Sequence, residues 1–282
     1  MHIFREIKAL QAHLRTLRST YSSVGFVPTM GALHDGHLSL LRAARHENAV
    51  SICSIYVNPT QFGNPADLEK YPRTLEADLA LLRKENCDVV FCPNNDEMYG
   101  QSPPISLSFP GLDKVLEGEF RPGHFSGVAQ VVAKLFHIVE PDRAYFGEKD
   151  FQQVLIVRRL VEALSFNVKI VSLPIVREAD GLALSSRNQR LQPADRIAAT
   201  VLFAALNHAR ESLLQGETLE KVRAEAKEMC AAKGVSLEYL ALAETKALTL
   251  LERVTDPHSS ILLMAAQVGP VRLIDNLRIQ TA

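Results

Sequence analysis

Two histidines, His34 and His37, bracket Gly36 in a stretch, Val27–Arg45, that follows an apolar run and turns helical from His37 onward. Pro28, Gly31 and Gly36 are placed to bend the chain tightly before that helix. A strand, a glycine loop and a helix N-terminus together form an anion site. The N–H groups of the first helical turn lack internal partners, and the helix dipole adds partial positive charge. Histidines at that end point to a phosphate-bearing ligand. Zinc ligation is the weaker reading, because no Glu follows the first His as in a His-Glu-x-x-His helix and no cysteine lies near. Read as two capping or surface histidines, the pair needs no ligand.

Three more polar segments follow strand-like runs: Asn58–Gly63, Gly147–Asp150 and Arg177–Arg187. Lys149, between Glu148 and Asp150, reads by itself as a solvated turn; at the ligand edge of a sheet it is a point charge for phosphate oxygens. Ser185-Ser186-Arg187 reads either as a helix cap or as a clamp of two hydroxyls and a guanidinium fork. Gln61 and Gln153 each donate and accept, which suits a substrate with hydroxyl and carboxylate groups.

These loops need a scaffold that gathers them. Helical spacing covers His2–Leu17, His37–Glu47, Pro72–Glu85, Val128–Val139 and Phe151–Leu164. Strand-like runs are Val24–Thr29, Ala49–Val57, Val89–Cys92, Ala144–Phe146 and Val168–Leu173, with a short one at Ile105–Phe109; Glu117–His124 reads as a loop. The alternation predicts an α/β fold, a parallel sheet with helices on both faces, whose post-strand loops share one edge. After Pro174 the character changes. Two helices, Pro193–Gln215 and Glu217–Lys233, precede strands at Leu237–Ala243, Ile261–Val268 and Val271–Ile274, giving a small α+β domain. The expected division is 1–174 and 175–282.

Among 282 residues, 31 basic and 32 acidic side chains leave a net charge of −1, which argues against nucleic acid or a membrane surface as partner. Four scattered cysteines form neither a disulfide framework nor a zinc ribbon, and Cys53 and Cys87 read as buried thiols. Met1–Val24 lacks the apolar core of a signal peptide, and no apolar segment is long enough to span a bilayer. The expected location is the cytoplasm.

The chain resembles the pantoate–β-alanine ligase family of the nucleotidylyltransferase superfamily. The resemblance rests on Pro28-Thr-Met-Gly-Ala-Leu-His-Asp-Gly-His37, Val57-Asn-Pro-Thr-Gln-Phe-Gly63, Tyr71-Pro-Arg-Thr74, Arg121-Pro-Gly-His-Phe125, Tyr145-Phe-Gly-Glu-Lys-Asp-Phe-Gln-Gln153 and Arg177-Glu-Ala-Asp-Gly-Leu-Ala-Leu-Ser-Ser-Arg-Asn188, six stretches in family order. It implies a Rossmann-like first domain with the second as a lid. It also implies ATP-dependent condensation of pantoate with β-alanine through pantoyl adenylate, releasing AMP and pyrophosphate.

By the same resemblance, Met30, Gly31, Ala32, Leu33, His34, Asp35, Gly36 and His37 line the ATP site, together with Gly147, Glu148, Lys149, Asp150, Val176, Leu184, Ser185, Ser186 and Arg187. Gln61 and Gln153 bind pantoate, and Gln61 also meets β-alanine; Asn58 and Tyr71 are further candidates near the acceptor. His34, His37, Lys149 and Arg187 carry the catalytic charge, with His37 leading. Mg²⁺ accompanies the triphosphate, with Asp78 or Asp150 near its hydration shell, and the oligomer implied is a homodimer. Leu184 stands where the family usually has Met, a swap of similar volume. Two rival readings share these motifs: a nucleotidylyltransferase with a stable nucleotidyl product, and a non-enzymatic nucleotide-binding module.

Overall fold

Central strands of a parallel sheet are covered on both faces, so they read as continuous apolar runs rather than alternating ones. Val24–Thr29 and Val50–Ile55 behave this way: nearly every residue of both is buried. The computed structural model describes residues 1–20, 22–100 and 105–280. Their contacts group into two compact units, Met1–Glu148 with Gln153–Pro174, and Lys149–Gln152 with Ile175–Ala282.

The first unit runs β1 (His2–Phe4), α1 (Ile7–Arg18), β2 (Val24–Thr29), α2 (Asp35–Glu47), β3 (Val50–Ile55), α3 (Pro65–Glu69), α4 (Leu75–Lys84), β4 (Val89–Phe91), α5 (Asn95–Met98), α6 (Glu117–Phe120), α7 (His124–Val139), β5 (Arg143–Gly147), α8 (Phe151–Ala163) and β6 (Lys169–Leu173). The strands form one parallel sheet in the order β1-β4-β3-β2-β5-β6. Val27, Cys53 and Val90 pack with Leu41 and Ala44 of α2 and with Leu79 and Leu82 of α4. The alternate residues Phe26, Ile52 and Val89 are buried as well, so the opposite face is also covered. Chain order reverses between β2 and β5. That reversal is the point of an open α/β sheet where ligands bind, and the histidine loop and Gly147 begin from these two strands.

The second unit continues with α9 (Pro193–Ala198), α10 (Val201–Leu214), α11 (Leu219–Ala231), β7 (Val235–Glu244), β8 (Leu250–Leu251), β9 (Ser260–Val268) and β10 (Val271–Arg278). Its antiparallel sheet has the order β10-β9-β7-β8. Leu202, Leu206 and Val222 of the helices pack against Leu240, Leu262 and Met264 of the strands.

Several expected elements differ. His2–Phe4 is an edge strand paired with Val89–Phe91, so the N-terminal helix starts only at Ile7; ladder bonds override the local apolar spacing. Residues 105–109 form no strand. The Leu107 N–H goes to Ser126 Oγ at 2.9 Å and the Phe109 N–H to Asp113 Oδ2 at 2.7 Å, so side chains take what a ladder would need. Within the expected loop Glu117–His124 lies a short helix, Glu117–Phe120, and α7 begins at His124 behind Gly123 at φ 80°. Pro193–Gln215 is two helices, interrupted where the Thr200 hydroxyl bonds the Ile197 carbonyl at 2.8 Å. Among the described residues no helix is long and apolar enough to cross a membrane.

Candidate active site

The histidine loop leaves β2 at Thr29, whose hydroxyl donates to the Ser54 carbonyl at 2.7 Å and accepts the Gly31 N–H at 3.1 Å. Gly31 has φ 81°, and a Cβ there would meet Asp78 Oδ2 and Ile55 Cγ2 at 3.0 Å. Ala32 is also left-handed, at φ 48°, which disfavours an L side chain unless the surroundings impose it. Asp78 imposes it from α4: Oδ2 accepts the Ala32 N–H at 2.9 Å and Oδ1 the Leu33 N–H at 2.8 Å. The carboxylate is 1% exposed, and the Thr74 hydroxyl adds a third bond at 3.2 Å. Asp78 is therefore a loop clamp, and its oxygens face amides rather than a hydrated ion.

His34 precedes α2 in extended conformation, and its backbone N–H donates to Nδ1 of His37 at 3.3 Å. The two imidazoles lie 4.1 Å apart, centroid to centroid. Thus the N–H groups of residues 31–34 are all bonded to protein acceptors. The amides that a helix start cannot satisfy internally are those of Asp35 and Gly36, just beyond the histidine cap. Gly36 lies inside the first turn of α2 without a positive φ, so of the two glycines only Gly31 makes a bend that a side chain would resist.

Gln61 ends a short 3-10 turn, Pro59–Gln61, and is 7% exposed. Its Oε1 accepts from Asn58 Nδ2 at 3.1 Å, which turns Nε2 toward Met30 Sδ at 3.3 Å. A thioether is a weak acceptor that a substrate oxygen displaces readily. Asn58 is 1% exposed and fully used: Nδ2 also reaches the Gly127 carbonyl at 3.1 Å, while Oδ1 accepts from Tyr99 at 2.7 Å and Thr60 Oγ1 at 3.0 Å. It braces Gln61. Burial pushes the Tyr99 phenol up from its ordinary value, keeping it a donor. His124 Nδ1 lies 2.8 Å from the Gln61 carbonyl, and Arg121 Nη1 lies 3.2 Å from Nε2. A carbonyl only accepts, so Nδ1 of His124 carries the proton it donates to Gln61. A Cβ on Gly127 would lie 2.3 Å from the Thr60 carbonyl, so this glycine lets α7 touch the turn. Gln153, on α8, is half-buried, and Tyr71 is buried against Phe62.

In the second unit Lys149 lies in a 3-10 turn, Glu148–Asp150, with Nζ 3.7 Å from Asp150 Oδ1. Asn276 Nδ2 donates to the Lys149 carbonyl at 3.0 Å. Arg177 grips Asp275 with both terminal nitrogens, at 2.7 and 2.8 Å, and stacks on Phe203 with Cζ 4.1 Å from the ring centroid. Burial pushes the Asp275 carboxyl up and the guanidinium opposes that shift. Residues 176–184 fold back as a tight hairpin, with the Leu184 N–H on the Val176 carbonyl at 3.0 Å. Ser185 Oγ accepts the Arg187 N–H at 3.3 Å, and Ser186 is 6% exposed.

Sequence reasoning misses His124, Gly127 and Asn276 as site residues, and it places Asp78 only beside a hydrated ion. Each acts from another element on backbone groups of the site, a relation no local spacing encodes. Of the three missed residues, His124 alone lies in a singled-out motif. Burial pushes the thiols of Cys53, Cys87 (to about 12) and Cys92 (to about 11) up, so none of the three is a thiolate nucleophile.

The profile of the family described as Pantoate-beta-alanine ligase matches residues 2–278. A pantothenate synthetase of Corynebacterium efficiens is 48% identical over 287 residues, covering 99% of each chain. The solved pantothenate synthetase of Thermus thermophilus aligns at TM-score 0.92 and 43% identity over 99% of both chains. The pantoate-beta-alanine ligase of Francisella tularensis, solved with beta-gamma ATP and beta-alanine, aligns at TM-score 0.85 and 36% identity, over 100% of this chain and 99% of that one. The parallel sheet, the appended antiparallel sheet and a family match along nearly the whole sequence agree: this chain belongs to the pantoate–β-alanine ligase family.

Proposed function

We infer that this chain condenses pantoate with β-alanine at the expense of ATP, releasing AMP and pyrophosphate. A pantoate carboxylate oxygen attacks the α-phosphorus, and the bond to pyrophosphate breaks. The neutral amine of β-alanine then attacks the acyl carbon of pantoyl adenylate and AMP leaves. No enzyme nucleophile takes part, so catalysis is positioning and charge stabilisation.

The observation that carries this reading is the contact of Gln61 Nε2 with Met30 Sδ, 3.3 Å, which brings the hydroxy-acid amide to the start of the nucleotide loop. Adenylation needs those two ligands in contact. His37 Nδ1 is an acceptor, so its neutral ring carries the proton on Nε2, a donor for a phosphate oxygen as charge builds there. His34 and the Asp35 and Gly36 amides supply further positive potential at the helix start. Lys149, Ser185, Ser186 and Arg187 complete the phosphate set, Gly147, Glu148, Asp150, Val176 and Leu184 surround the nucleotide, and Gln61 with Gln153 holds pantoate. Residues 175–282 act as the lid that excludes water from the acyl adenylate.

Mg²⁺ belongs to this reading as the triphosphate's ion, where it neutralises charge. Among the described residues no three His, Cys, Asp or Glu side chains gather into a metal-holding group; the ion would be held by phosphate oxygens and water. Homodimeric assembly and a cytoplasmic location follow from the family resemblance. Pyrophosphate–ATP exchange tests the reading. Exchange should require pantoate but not β-alanine, and AMP should appear only when β-alanine is added. Exchange independent of pantoate, or a stable nucleotidyl product, overturns it.

A further inference from the structure

Lys149 follows β5, a strand of the first unit, yet Lys149–Gln152 group with the second. Its carbonyl accepts from Asn276 Nδ2 at 3.0 Å. Asn276 is 5% exposed and is held at both of its own backbone groups. Its N–H bonds Asp275 Oδ1 at 2.7 Å, and its carbonyl accepts from Arg177 Nη2 at 3.0 Å. Arg177 Nη1 also reaches the Gly181 carbonyl at 3.0 Å, inside the hairpin that leads to Ser185–Arg187. At the far end of that hairpin Asn188 Nδ2 donates to the Ala183 carbonyl at 3.0 Å. A chain of buried and part-buried hydrogen bonds, joined by the backbone of the hairpin, thus runs from the lysine turn through β10 to the serine–arginine loop.

We propose that Asn276 is a positioning residue for Lys149, fixing the lysine turn and the Ser185–Arg187 loop as one block braced by Arg177 and Asp275. The proposal rests on the reading of Lys149 as a phosphate-binding residue. A flexible lysine delivers its charge only as well as its backbone is aimed. The Asn276 amide fixes the plane of the peptide that leaves Lys149, and so the direction of its Cα–Cβ bond. The phosphate cations of the second unit are then held as one block.

A double-mutant cycle on pantoate-dependent pyrophosphate–ATP exchange tests this. Asn276→Ala should lower the maximal exchange rate by about 10- to 100-fold with the KM for pantoate unchanged, since a misplacement of about 1 Å can cost up to about 10²-fold. In a Lys149→Ala background the same change should have no further effect. Asn276→Ser, polar but too short to reach the carbonyl, should repeat the result and carries the test should the alanine variant not fold. A wild-type rate in both Asn276 variants overturns the proposal. So does an undiminished drop in the Lys149→Ala background, which would mark general damage. A Lys149→Ala variant with wild-type exchange overturns the lysine's assigned role first, and that failure is distinct.

Discussion

The backbone N–H of His34 donates to Nδ1 of His37 at 3.3 Å, one half of the capping box that opens α2, so the cap also orients its leading imidazole. The bond assigns the ring proton of neutral His37 to Nε2. His37→Ala removes that donor and should slow adenylation by roughly 10²–10³, the scale of one lost transition-state donor. Single-turnover formation of pantoyl adenylate measures it, and a wild-type rate would remove His37 from the chemistry.

Asp78 offers a second test, because the loop depends on both its oxygens. In Asp78→Asn one oxygen becomes an NH₂ group that cannot accept an amide N–H. Either Ala32 or Leu33 is left unbonded at a site 1% exposed. The expected cost is about 1–3 kcal/mol of stability, with a raised KM for ATP because Ala32 loses what holds it at φ 48°. Urea unfolding together with ATP titration checks both. An unchanged KM would mean that the loop holds its shape without the clamp.

Gly127→Ala sets two effects against each other. Alanine is favoured over glycine inside a helix by up to about 1 kcal/mol. Here the new Cβ would lie 2.3 Å from the Thr60 carbonyl and 2.7 Å from the Gln61 nitrogen. Overpacking of that kind costs typically about 1–3 kcal/mol, so the net change should be destabilising. The strain falls on the turn that carries Gln61, so the KM for pantoate should rise while that for ATP holds. A more stable variant with unchanged pantoate KM would show that the turn yields freely.

Arg177→Ala should be the most damaging of these changes. It strands Asp275, whose side chain is 2% exposed. Breaking one side of a buried pair costs about 3–5 kcal/mol, and replacing both partners by apolar residues should cost less. The sign of the pH effect follows. Burial already raises the folded-state carboxyl, and without the opposing guanidinium it rises further above its unfolded value, so the folded variant binds a proton that the unfolded chain releases. Its stability deficit should shrink as pH falls into the carboxylate range. Denaturant melts of variant and wild type at neutral and acidic pH measure the difference; a constant deficit would place Asp275 outside the effect.

Apolar periodicity carried the parallel strands Val24–Thr29 and Val89–Phe91 and helices such as Leu219–Ala231, because burial on both faces or on one stripe is written in side-chain type. Edge strand His2–Phe4 was not legible. Its three residues gain a partner only when Val89–Phe91, remote in the chain, lies beside them. The expected strand at Ile105–Phe109 failed for the converse reason, since Ser126 and Asp113 occupy N–H groups that a ladder requires.

From sequence alone came the chemistry: the histidine pair, the glutamines, the lysine turn and the Ser-Ser-Arg stretch are residue types at short spacing, and their reactivity is local. Tertiary structure decided how those groups are held. It turned Asp78 from a candidate near magnesium into the clamp of Ala32 and Leu33, and assigned the Lys149 carbonyl to Asn276. The reason is physical. A side chain's hydrogen-bonding capacity belongs to its covalent structure, whereas a backbone amide accepts whichever partner folding delivers, from any distance along the chain.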